Sequence, residues 1–238
     1  LGANTLTLSG GGSLVSGGLT LNNADSKLLL NSITLDNVST SANSLGLDVD
    51  NNSTITALSV ANITPVAIAS GSSLSGGITV SAGSLKLNET GTLASTIAMS
   101  GGVLDADESS TVSGALSHTA DITIDVADNK TLTYSGTAIS LGANTLTLSG
   151  GGSLVSGGLT LNDPSSKLLL NSITVDSVST AIDNSLGVDV DNDSTITSLS
   201  VANITPVSIA SGKTLSGAIT VTAGSIKLAE TGKLASTI

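Results

Sequence analysis

The chain has 238 residues, with 27 Gly, 3 Pro, no Cys, no Trp, no Phe and a single Tyr, yet it is 39% hydrophobic. That composition excludes an ordinary aromatic-rich core, so Leu, Ile, Val and Ala must fill the interior; charged residues at 11% and a mean hydropathy of +0.40 exclude disorder. Eighteen acidic residues against seven basic ones, all Lys, give a net charge of −11, which sets aside a nucleic-acid backbone as partner.

The chain opens on LGANTLTLSGGGSLVSGGLTLN over residues 1–22, and the same run returns at 141–162. The repeat unit is therefore 140 residues. The copies stay aligned, with one extra residue near Asp183 and Asn184, until KLASTI at the C-terminus matches TLASTI ending at Ile97. Residues 1–238 thus read as one continuous β-solenoid, with 1–140 the first repeat of seven rungs and 141–238 an incomplete second repeat of about five. Such a chain is expected to be a window on a longer array, with any secretion leader either outside it or already removed. No apolar run reaches the roughly 18 residues of a membrane helix.

Within the unit a hydroxyl residue followed by an aliphatic one marks a shorter period. The markers, in chain order, are Leu14, Ile33, Ile55, Leu74, Leu93, Val112 and Leu132, and then Leu154, Ile173, Ile196, Leu215 and Leu234, the last preceded by Lys233 and the other eleven by Ser or Thr. From Leu14 to Leu154 the spacings are 19, 22, 19, 19, 19, 20 and 22, which sum to 140. Between markers, aliphatic and polar residues alternate in short bursts, as in Ile78-Thr79-Val80 and Leu85-Lys86-Leu87. Period two means strand, and Gly, Asn, Asp and Ser between the bursts mean turns.

The predicted fold is therefore all-β: a parallel β-helix, right-handed, with about 20 residues and three short strands per rung, and about 12 rungs. At about 4.8 Å per rung it would form a rod on the order of 58 Å long. Tandem immunoglobulin-like domains, the competing reading, would be expected to carry core aromatic residues that this unit lacks apart from Tyr134.

Runs such as LTLSGGGSLVSGGLTLN, GSLKLNETGTLAS and TIAMSGGVL resemble the strand repeats of bacterial autotransporter passengers and large haemagglutinin-type adhesins. The resemblance covers the whole chain. It implies a secreted protein at the cell surface and carries no residue roles.

The sharpest acidic cluster is Asp48, Asp50 and Asn52, which returns as Asp189, Asp191 and Asp193. Alternating oxygen-bearing side chains open calcium loops in this way, so these six are the candidate metal ligands and calcium is the one candidate cofactor. The sixth position is Ser and the closing Glu is missing, so an Asx-rich turn explains the same pattern. Asp105, Asp107 and Glu108 form a second group, and Asp121, Asp125 and Asp128 a third. Polysaccharide-cleaving β-helices use such clusters, but no Arg is present to pair a uronate and no aromatic surface to stack a sugar. Solvated turn carboxylates are expected instead.

His118 has no second His or Cys beside it and reads as a surface residue. Gly10-Gly11-Gly12 and Gly150-Gly151-Gly152 lack the following Lys of a phosphate loop and read as turns. The expected function is non-enzymatic: a structural extracellular repeat protein forming a rigid rod or fibre, such as an adhesin stalk, surface filament or sheath component. A carbohydrate-binding or carbohydrate-active β-helix is the alternative, and an ice-binding solenoid, suggested by the recurring Ser/Thr, comes third. Expected partners are further copies, joined end to end or laterally, and cell-surface polysaccharides.

Overall fold

The computed structural model describes residues 1–182 and 185–237. Asp183 and Asn184, where the second copy gains its extra residue, lie outside the described residues, as does Ile238, the last residue of the KLASTI match. The chain is an all-β parallel solenoid of about twelve turns, with no helix among the described residues. It divides into two compact units, Leu1–His118 and Thr119–Ile238, so the compact division does not coincide with the 140-residue sequence boundary.

In the first unit, one sheet stacks Thr5–Ser9, Lys27–Asn31, Gly46–Asn51, Ile63–Ile68, Ser84–Leu87 and Val103–Ala106, all parallel. The rest of each coil forms the other faces. Three coils run through the corner between those faces as single long strands, Thr34–Thr40, Ser53–Val60 and Ser73–Val80. Other coils break there, as Thr92–Leu93 and Thr96–Met99 do. Three short strands per coil is therefore correct for some rungs, and a merged pair for others.

The second unit repeats this plan, stacking Ile122–Val126, Thr145–Ser149, Lys167–Asn171, Gly187–Val190, Ile204–Ile209 and Ser225–Leu228. Alternation does the rest. In Lys27–Asn31 the even positions Leu28 and Leu30 are fully buried while their neighbours face outward. Each such Leu contributes roughly 1.5–3 kcal/mol by leaving water. The single Tyr134 also points inward and is buried.

Strand pairing corrects the reading of the markers. Leu14 pairs with Leu35, and Leu35 with Ile55. Leu74, however, pairs with Ser53 and continues to Leu93 and Val112. The markers thus belong to two inward columns, two residues apart. Ile33 and Ile173 are not in the Leu14 and Leu154 columns; Leu35 and Val175 take those places. The reason is geometric: residues i and i+2 share a face, so a shift of two leaves the hydrophobic pattern unchanged. One marker per coil survives.

The coils on which the column changes also carry a bulge. Ile55 pairs with Gly76 but Ala57 with Gly77, leaving Thr56 unpaired at the corner. Gly76 is required there: its φ is +117° and a Cβ would lie 1.8 Å from the Ile55 carbonyl oxygen. Gly217 repeats the arrangement against Ile196.

Candidate functional site

Hydroxyl residues form true columns once the register is known. In the second unit Thr131, Ser153, Thr174, Thr195 and Ser216 stand in line. In the first unit Ser13, Thr34, Thr54 and Ser75 do the same. Neighbouring hydroxyls bond along the stack, Thr54 to Ser75 and Thr195 to Ser216, each at 2.8 Å. Ser32 and Ser172, which precede two of the markers in sequence, are not column members; they hold left-handed turns with φ of 55° and 57°.

Not every hydroxyl is outside. Ser26, Thr40, Ser53, Ser72, Ser110 and Ser166 are buried. They sit at turns or at strand ends, where inward positions meet carbonyls that the ladder leaves open. Ser26 and Ser166 donate to the carbonyls of Gly2 and Gly142, each at 2.6 Å. Ser72 reaches the carbonyl of Asp50 and Ser110 that of Glu89. A hydroxyl bonded in this way avoids the desolvation cost of a buried unpaired group.

The six candidate calcium ligands are drawn apart in role. Asp48 forms an ion pair with Lys27 at 2.8 Å, and Asp189 one with Lys167 at 2.7 Å. Asn52 accepts from the amide and the hydroxyl of Ser73 on the next coil. Asp193 accepts from the amide of Thr214 at 2.7 Å. Asp50 follows Asp48 on the outer face and is exposed, while Asp191 lies in the turn after Gly187–Val190. Among the described residues, no group of three or more His, Cys, Asp or Glu side chains converges as a metal site. A cation at Asp48 or Asp189 would meet a lysine ammonium already in place.

The other carboxylates also bond from coil to coil. Lys86 holds Asp105 at 3.1 Å and Asp107 at 2.8 Å. The hydrogen bond to Asp107, and then Asp105, raise its pKa above the usual lysine value. Asp121 accepts from the Thr145 amide, and the Ser149 hydroxyl donates to Asp125. Glu108 stands before Ser110–Val112, and Asp128 lies under the turn at Gly151. His118 ends the strand Leu116–His118 half-buried, not at the open surface the sequence suggested.

One carboxylate role escaped sequence reasoning. Asp36 accepts from the amides of Ser16 and Gly17 and from the Ser16 hydroxyl, so it clasps the glycine turn of the preceding coil. Asp176 clasps Ser156 and Gly157 identically. The backbone amide of Asn37 above all, with the Ser16 and Gly17 donors, lowers the Asp36 pKa below the usual carboxylate value against a smaller desolvation effect. The available signal was an Asp 20 residues after Ser16-Gly17-Gly18, at Asp36, and again after Ser156-Gly157-Gly158, at Asp176.

The chain matches no protein-family model, no curated protein and no solved structure.

Proposed function

We propose that this chain is a structural repeat segment of a secreted surface protein, whose activity is to hold a stiff, stacked shape. It would serve as part of a stalk, filament or sheath and would carry out no reaction. What supports this reading is where the polar side chains spend their bonds. Asp36, Asp48, Asp105, Asp121, Asp125 and Asp176 all bind groups of adjacent coils. Side chains committed to neighbouring rungs stiffen a stack, and they are poorly placed to act on a substrate.

Further copies are the proposed partners. Parallel coils present unpaired strand edges wherever a stack stops, and such edges pair with others. Sideways contacts have a candidate in exposed apolar residues kept by both copies: Leu45 and Ile63 in the first unit, Leu186 and Ile204 in the second. The six candidate calcium ligands would act, if at all, by bridging such contacts.

Surface labelling and microscopy test the reading together. Antibody against this segment should label intact, unpermeabilised cells that make the natural protein, and the material released from them should be filamentous and resist trypsin. Labelling only after permeabilisation, or dispersed and protease-labile monomers, would contradict it.

A further inference from the structure

The second unit holds a hollow of about 440 Å³, lined by Gly151, Ile173 and Ser194 and by six outward polar side chains. Those six are ordered. Thr174, Thr195 and Ser216 pair in register on three successive coils; beside them Asp193 accepts from the Thr214 amide, and Ser172 stands in the left-handed turn before Thr174. The result is one row of hydroxyls repeating at the strand spacing of about 4.8 Å, flanked by Asp193 and Thr214. The hollow is therefore a trough running along the stacking direction.

We propose that this trough binds a stretch of an extended, neutral polysaccharide. The hydroxyls of Ser172, Thr174 and Thr214 make no hydrogen bond to the described residues. Thr195 and Ser216 bond each other and keep one further donor or acceptor each. A row of hydroxyls that both donate and accept matches a ligand that offers hydroxyls on every unit. Ile173 is buried and Gly151 has no side chain, so recognition would rest on the hydroxyls and the Asp193 carboxylate. A peptide strand is a poor occupant, because Thr174–Thr180 and Ser194–Val201 are already paired. A calcium ion is also a poor occupant, since only one carboxylate lines the trough. That carboxylate, in a chain of net charge −11, disfavours an anionic chain.

The two copies differ at this spot. In the first, Asn52 takes both the amide and the hydroxyl of Ser73. In the second, Asp193 and Thr214 replace them, and Asp193 takes only the amide, leaving the Thr214 hydroxyl free. This inference goes beyond the structural reading and stands without it, since a trough can be occupied whether or not the chain forms filaments.

The test is an amide-resolved NMR titration of the full chain with xylohexaose and mannohexaose, and with hexagalacturonate as the anionic counterpart. At least one neutral saccharide should shift Thr174, Thr195 and Ser216, and hexagalacturonate should not. Thr195→Val keeps the shape but removes the hydroxyl, and should weaken binding about tenfold. Thr160→Val, on a different hydroxyl column, should bind as the parent does, and both variants should keep the parent amide spectrum elsewhere. The proposal is overturned if neither neutral saccharide shifts the trough, if hexagalacturonate binds equally, or if Thr195→Val binds as tightly as the parent.

Discussion

Residues 1–22 and 141–162 are identical in sequence but not in environment. Leu6, Leu8 and Leu14 are half-buried, whereas Leu146, Leu148 and Leu154 are almost fully buried. The cause is the neighbour. Thr145–Ser149 has Ile122–Val126 on one side and Lys167–Asn171 on the other, whereas Thr5–Ser9 pairs only with Lys27–Asn31. The same lesson comes from Leu87, 2% exposed with Val103–Ala106 beyond it, and its counterpart Leu228, 56% exposed. In a stack of coils, burial belongs to the pair of neighbours and not to the coil sequence.

In a protein consisting of residues 1–238 alone, that comparison can be broken by mutation, and the largest effect should come from the core. Leu148→Ala is expected to cost about 2–5 kcal/mol, and Leu8→Ala, at the identical sequence position, less than half as much. Denaturant unfolding of the two variants checks this, and equal losses would show that the first coil is covered by something further.

Backbone approach gives the next contrast. A Cβ at Gly150 would fall 2.3 Å from the Val126 carbonyl oxygen, while one at Gly10 meets nothing within 4 Å. Both residues have positive φ, 106° and 118°. Gly10→Ala should therefore cost only the conformational strain of about 1–2 kcal/mol, and Gly150→Ala about 1–3 kcal/mol more for the clash. Thermal unfolding of each variant separates the two.

Charge should show a smaller effect that is alike in both copies. Lys27→Met and Lys167→Met each remove a half-exposed ion pair, worth about 0.2–1 kcal/mol and reduced by added salt. A clear inequality between them would mean that the two pairs sit in different surroundings. For Asp36 the sign follows from its lowered pKa. Its clasp stabilises the fold above the ordinary carboxylate pKa, and that contribution is lost as pH falls through the lower folded value. Asp36→Asn should flatten the acid side of a stability-against-pH curve, leaving the neutral side lower than in the parent.

Much of this architecture was legible in the sequence because it is local. Alternation in Lys27–Asn31 or Ile78-Thr79-Val80 requires strands, and one marker per coil gives about twelve turns. What was hidden depends on partners a coil away. A register shift of two, from Leu74 onto Ser53, changes no face and so leaves no trace in the pattern. Burial of Ser26 or Ser72 depends on an open carbonyl more than 20 residues distant, which composition alone reads as an outward hydroxyl. The hydroxyl row of the trough depends on the register that sets Thr174, Thr195 and Ser216 side by side. The acidic clusters, read as solvated turn carboxylates, are fastened to adjacent coils through Lys86, Thr145 and Ser149, and Asp105 and Asp125 lie within strands.

Hydrogen exchange tests the central claim most directly, because it compares one sequence with itself in one molecule. If neighbouring coils create burial and order, then in a protein consisting of residues 1–238 alone the amides of Thr145–Ser149 should exchange far more slowly than those of Thr5–Ser9. Equal protection of the two identical strands would contradict the account.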